Sequence, residues 1–248
     1  LSGFSCFAQL YYFQPLLPDL AKDFILSASE SSFAISFSTL GMVFGLFTTM
    51  FVADRIPRKK MIGTGLLSSS IFSVAASFSP TFLPLILLSA AKGFLLSGAT
   101  SVSMAYIAEE VSSRNKGKIM GLYIAGNALG GMAGRVISSW IGALYTWRIA
   151  SVSIGLICAL FAILFLLFSP RSTNFMPRKE SFHTLIIANL QLITSKALIP
   201  FYLTGGLILG VFIQLPGILS DQSTFQFPGT LYPLYLFCLL YTSDAADE

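Results

Sequence analysis

The sequence predicts an all-α membrane protein whose helices cross the bilayer repeatedly, and three observations predict it. Hydrophobic residues make up 54% of the 248 residues against 10% charged, with a mean hydropathy of +0.77. A water-soluble domain of this length has too little polar surface to cover that much apolar material. Uncharged runs of about twenty residues recur, the length an α-helix needs to cross a hydrocarbon core of roughly 30 Å at about 1.5 Å per residue. The short segments between the runs are alternately basic and not basic: residues 33–53 carry no charge, and Asp54, Arg55, Arg58, Lys59 and Lys60 follow at once.

Taken in order, residues 1–17 read as the later part of span one, its front expected to be missing because the chain is already apolar at Leu1. Residues 33–53 give span two, 61–78 span three, 82–107 span four, 119–141 span five and 149–168 span six. A polar stretch over 169–196 precedes span seven at 198–219 and a damaged span eight at 225–240. Proline and glycine inside several spans are tolerated because neighbouring helices satisfy the freed backbone groups. Residues 241–248 change character abruptly and are expected to be a non-native tail.

Charge sidedness orients these spans. The loops after spans two, four and six hold Arg55, Arg58, Lys59, Lys60, Arg114, Lys116, Lys118, Arg171, Arg178, Lys179 and Lys196, whereas those after spans one, three and five hold only Lys22 and Arg148. Lysine and arginine accumulate on the cytoplasmic side, so the basic loops and the N-terminus are expected there. The net charge of +4 is thereby a matter of topology, and no basic stripe with interleaved aromatics suggests a nucleic-acid partner. Cys6, Cys158 and Cys238 stand singly in apolar runs, which offers neither a disulfide framework nor a zinc spacing and marks them as small core residues. His183 is alone in the polar stretch, so neither a triad nor a metal cluster can be assembled, and no cofactor is expected.

The sharpest local signal is Asp54-Arg55-Ile56-Pro57-Arg58-Lys59-Lys60, between spans two and three. It resembles the signature of the major facilitator superfamily in this loop, G-x-x-x-D-R-x-G-R-K: Asp54, Arg55, Arg58 and Lys59 match, while Met50 and Pro57 replace its glycines. The resemblance implies a cytoplasmic gate, a charge network that locks two halves of the protein in the outward-facing state. The alternative is a solvated loop that only sets topology. The segment from Gly121 to Arg135 in span five resembles the family's antiporter motif, G-P-x-x-G-G, through Gly126, Gly130 and Gly131, with Asn127 where proline would stand. Gly126, Gly130 and Gly134 recur every four residues and so form a flat ridge for close helix packing, whatever their functional role. The close of span four, from Met104 to Glu110, also resembles bacterial efflux members, and Glu109 or Glu110 lies level with Arg58, where it is expected to join the gate.

Lys92 lies ten residues into span four, about 15 Å deep and near the bilayer midplane. A cation there costs at least about 2.5–3.5 kcal/mol, so it faces a cavity or a partner. The family carries an arginine, then a glutamine three residues on, then a glycine; here Ser89, Lys92 and Gly93 occupy those places. Lys92 is read as a substrate or proton-relay contact, or else as a structurally paired or snorkelling lysine. Arg135 is expected to snorkel to the outer headgroups. Gln9, Tyr11, Tyr12 and Gln14, before Pro15, suit the lining of a central cavity, although an interfacial aromatic belt explains the tyrosines as well. The expected cavity set is Lys92, Gln14, Tyr11 and Asn127.

The fold implied is the family's six-helix N-terminal bundle of two inverted three-helix repeats over 1–169, a cytoplasmic central linker over 170–197, and the incomplete start of a C-terminal bundle over 198–240. The resemblance implies secondary active transport of a small solute by alternating access, by proton-coupled efflux across the bacterial inner membrane, with a full-length protein that is monomeric and truncated here. No Asp or Glu lies within a readable span, so no proton-carrying carboxylate can be named. The competing classes are a non-transporting receptor or assembly partner, for which the polar stretch is too short to form a sensing domain, and a membrane-embedded enzyme, for which convergent nucleophiles and acids are lacking.

Overall fold

The structure, a computed structural model, describes residues 1–175, 177, 195, 198–200, 203, 204 and 207. The chain divides into two compact units, Leu1–Arg178 and Lys179–Glu248, so the first takes in the opening of the expected linker. The rest of that linker with His183, most of span seven, span eight, Cys238 and the tail lie outside the described residues.

Among the described residues the first unit is helical throughout, with no strand: α1 (Ser2–Tyr11), α2 (Leu17–Phe24), α3 (Ala28–Ser31), α4 (Phe33–Val52), α5 (Arg58–Ser77), α6 (Phe82–Glu110), α7 (Lys116–Leu144) and α8 (Trp147–Phe168). The helices overrun the apolar runs into their charged flanks, because the backbone ladder does not stop where hydropathy does. Arg58, Lys59 and Lys60 are wound into the first turn of α5, and Glu109 and Glu110 into the last of α6.

Span one differs from expectation. It continues to Phe24 but is broken between Tyr11 and Leu17 by a short 3₁₀ turn over Gln14–Leu16. Pro15 lacks an N–H and its ring collides with the carbonyl four residues back, which ends α1; Pro18 then sits in the first turn of α2, where proline is tolerated. Three segments, Ala28–Val52, Phe82–Glu110 and Trp147–Phe168, are long and apolar enough to cross a membrane. The helices α5 and α7, of 20 and 29 residues, have the length but are diluted by serine, glycine and cations. That dilution faces inward: Ser69, Ser70, Ser73 and Ser77 of α5 are buried, where each hydroxyl finds a partner such as the Leu66 carbonyl for Ser69 and Ser70. Large apolar side chains such as Phe44, Phe47, Leu122 and Leu167 point outward instead, as a lipid-facing surface requires.

Two helix pairs pack backbone against backbone. On α4, Ala34, Ser38, Gly41, Gly45 and Thr49 form one buried stripe. A methyl group at Gly41 would strike the Ala90 carbonyl of α6, and one at Gly93 the Ser38 carbonyl of α4. Between α7 and α1, a methyl at Gly130 would strike Phe4 O and one at Gly134 would lie 2.7 Å from Ala8 Cα. The expected ridge is thus tight at Gly130 and Gly134 only. At Gly126 the nearest atom, Phe4 N, is 3.9 Å away, and Gly131 makes ordinary contact with Tyr11 at 3.4 Å. Because α1 breaks at Pro15, its straight stretch of contact against α7 is short.

Candidate functional site

Among the described residues, the turn after α4 and the segment after α8 meet the ends of α5 and α6 at one end of the first unit, and Arg58 is their centre. Its Nη2 donates to Asp54 Oδ1 at 2.8 Å and to Glu109 Oε1 at 3.1 Å, its Nε approaches Glu109 at 3.3 Å, and its Nη1 donates to the Ala53 carbonyl at 2.6 Å. The Asp54 pair is the i,i+4 spacing; Glu109 comes from 51 residues further on. The guanidinium also lies over the Phe175 ring, 5.1 Å from its centroid. At the start of α5, beyond the apolar run, burial opposes the charge, but the hydrogen bonds that Arg58 donates to Glu109 and Asp54 outweigh it and raise the Arg58 pKa above the ordinary arginine value. A charge-assisted cluster joining three segments fixes their spacing more firmly than any one exposed pair.

The structure separates the two glutamates that the sequence left together. Glu109 pairs with Arg58, whereas Glu110 accepts from Thr173 Oγ1 at 2.9 Å and from the Asn174 backbone N–H at 2.9 Å. Of the two glutamates expected level with Arg58, Glu109 takes the place and Glu110 does not, because neighbouring residues on a helix point about 100° apart. Lys59 donates through its backbone N–H to Ser172 Oγ and through Nζ to the Ser169 carbonyl. Arg55 is exposed.

Inside the unit, the two intramembrane cations sit on aromatic rings at the break of span one. Lys92 is 1% exposed, with Nζ 4.6 Å from the Tyr12 centroid and 4.8 Å from that of Phe13; among the described residues Nζ has no hydrogen-bond acceptor. Arg135 lies 4.7 Å from the Tyr11 centroid and is 5% exposed, so it turns inward rather than snorkelling, since α1 offers it a ring at that level. Ser138 Oγ donates to the Tyr12 carbonyl at 2.8 Å, satisfying a group that the break exposes.

Span one's polar residues serve helix contacts. Gln9 is fully buried, donating to Ser70 Oγ at 3.2 Å and accepting from Ser73 Oγ at 3.3 Å, and Tyr12 OH meets Ser151 Oγ at 2.9 Å. Tyr11 is buried, Gln14 is half-buried in the 3₁₀ turn, and Asn127 lies against Gly3 at the α1–α7 contact. The sequence pattern suited a cavity lining because a polar residue in a span looks the same whether it faces water or a neighbouring helix. Cys6 and Cys158 are free and buried, as core residues. No grouping of metal-ligating side chains occurs among the described residues.

The opposite end holds a node that sequence reasoning missed. Arg148 Nη1 donates to the Ser77 and Ser79 carbonyls at 2.8 and 2.9 Å, and its Nη2 pairs with Asp23 Oδ2 at 3.0 Å, an oxygen that also accepts from Trp147 Nε1. The isolated cation in an otherwise cation-poor loop was the available signal.

The model of the Major Facilitator Superfamily matches residues 1–243. The chain belongs to the major facilitator superfamily. It is 35% identical over 220 residues to an uncharacterized transporter of Buchnera aphidicola subsp. Schizaphis graminum, covering 89% of this chain and 53% of that protein. It is also 35% identical over 215 residues to the inner membrane transport protein YnfM of Escherichia coli, covering 86% and 51%. The crystal structure of a D-xylose–proton symporter shares the fold with a TM-score of 0.66 at 16% identity, covering 94% of this chain and 62% of that one. The chain spans about half the length of the curated relatives it matches. It is a membrane protein of a transporter family with an all-helical superfamily fold, and it is the first unit that carries the family's loop signature at Asp54, Arg55, Arg58 and Lys59.

Proposed function

We propose that this chain supplies the N-terminal bundle and the start of the C-terminal one of a secondary active transporter. In this reading a small solute leaves across the bacterial inner membrane by alternating access, in exchange for protons. The Asp54–Arg58–Glu109 node carries the reading: it joins two of the family's signature charges, Asp54 and Arg58, to the end of α6. Sidedness of the loop cations supports a cytoplasmic location for the node and for the N-terminus, and the Escherichia coli relative's name supports the inner membrane. The node serves as the cytoplasmic gate, with Arg55 and Lys59 at its rim. Lys92 serves as the charge-bearing relay of the first bundle, supported by its depth and by an ammonium that has no acceptor among the described residues. Tyr11, Gln14 and Asn127 flank the path at the break in span one. The full-length protein has two halves and works as a monomer; a discontinuous helix near the midplane is where such carriers place their sites.

The test is made on the full-length reading frame in cells and everted vesicles. Single cysteines at Lys60 and Lys116 should react only with reagent applied from the cytoplasmic side, and a proton gradient should drive uptake of solute into everted vesicles. Labelling of either position from the periplasm would overturn the orientation, and solute movement indifferent to the gradient would overturn the coupling.

A further inference from the structure

The chain does not leave the first unit when α8 ends at Phe168. Residues 169–175 turn back across the basic end, and successive residues are held. The Ser169 carbonyl accepts from Lys59 Nζ, the Pro170 carbonyl from Tyr106 OH at 2.7 Å, and Ser172 Oγ from the Lys59 backbone N–H at 3.0 Å. Thr173 and Asn174 then close on the end of α6. The Thr173 hydroxyl and the Asn174 backbone N–H both donate to the Glu110 carboxylate, while Asn174 Nδ2 donates to the Glu109 carbonyl at 3.1 Å. Phe175 finishes under the Arg58 guanidinium. Such continuous side-chain engagement is more than a loop needs to clear a helix end, and loops without it are free to move.

We propose that residues 169–175 are a strap docked on the cytoplasmic ends of α5 and α6, and that Glu110 is the positioning residue that holds it. Glu110 does not belong to the Arg58 pair. It fixes Thr173 and Asn174, which places Phe175 against the guanidinium, so residues 173–175 are coupled to the gate through this carboxylate and the Glu109 carbonyl that holds Asn174 Nδ2. The docking stands on its own geometry; the consequence for gating rests on the transport reading above. The surface therefore fits an occupant from this same chain, a short segment offering one amide side chain, one hydroxyl and an aromatic ring.

The docking is tested on the whole 248-residue chain in inside-out vesicles by trypsin cleavage after Arg171, timed against cleavage after Arg114, an exposed site in the α6–α7 turn. A protease needs several residues of free backbone, so docking should slow the Arg171 cut. Glu110→Ala should speed it about tenfold, and adding Thr173→Val should speed it no further, because the Thr173 hydroxyl contact is one of those the Glu110 carboxylate makes. Glu110→Ala combined with Asp54→Asn should instead multiply the separate effects. Thr173→Val, at an exposed site where folding is not at stake, should speed the cut several-fold while Thr173→Ser leaves it unchanged. Multiplying effects for Glu110→Ala and Thr173→Val, or an Arg171 rate that Thr173→Val does not alter, would overturn the docking. In the full-length transporter, faster cleavage with unaltered solute flux would leave the docking standing and refute the coupling to the gate.

Discussion

Replacing Lys92 with methionine is expected to stabilise the first unit, and the size of the effect follows from what surrounds the ammonium. It is 1% exposed, lies 4.6 and 4.8 Å from the centroids of the Tyr12 and Phe13 rings, and has no acceptor for Nζ among the described residues. A cation at the centre of a span costs about 2.5–3.5 kcal/mol, and buried donors without acceptors add about 1–3 kcal/mol. Two desolvated cation–π contacts return up to about 2 kcal/mol each, which leaves a net cost centred near about 1 kcal/mol. Methionine keeps an unbranched stem of similar length and sets a thioether against the same rings, so packing survives and the cost disappears. At roughly 2–4 °C per kcal/mol for a chain of this size, Lys92→Met should raise the Tm by about 2–4 °C. Lys92→Ala should lower it, because truncating a large buried side chain costs about 2–5 kcal/mol. Cys6 and Cys158, both buried and free, supply the assay: a thiol-reactive fluorophore reports their exposure as the chain is heated in nanodiscs. A methionine variant that melts as far below wild type as the alanine variant would refute the reasoning and show the ammonium to be net stabilising.

The same assay checks two further expectations. Gly134→Ala drives a methyl group to 2.7 Å from the Ala8 backbone and should cost about 1–3 kcal/mol, whereas Gly126→Ala meets nothing closer than 3.9 Å and should gain up to about 1 kcal/mol from helix propensity. Equal destabilisation by both would mean that α7 meets α1 along the whole ridge. Arg148→Ala should cost about 1–2 kcal/mol, mostly through the uncapped Ser77 and Ser79 carbonyls, and the loss should persist in molar salt. Asp23→Asn should cost under about 1 kcal/mol, since that pair is solvent-screened; a larger loss that salt abolishes would reverse the two roles.

Much of the architecture was legible because hydropathy and charge act over whole segments. The limits of α4 and the end of α8 fall where the uncharged runs predict, and Asp54 with Arg58 is readable as a pair at i,i+4. What failed depended on the rotation of single side chains. Glu109 and Glu110 are equivalent in any linear reading, and only the azimuth of α6 sends one to Arg58 and the other to Asn174. The depth of Lys92 followed from counting residues, but its direction, onto Tyr12 and Phe13, depends on where Pro15 breaks the first helix. Arg135 turned inward for the same reason, since Tyr11 stands opposite it. Gln9 looked like a residue for water, and the serines of α5 that absorb it lie 61 and 64 positions away.

An arginine closes each mouth of the first unit: Arg58 ties the α4–α5 turn to the foot of α6, and Arg148 ties the head of α8 to α2 and to the turn after α5. A bundle riveted at both rims resists shear between its own members. In the transporter proposed above it should therefore behave as a stiff lever that tilts entire, and substitutions that loosen either rivet should blur the stroke before they alter what is carried.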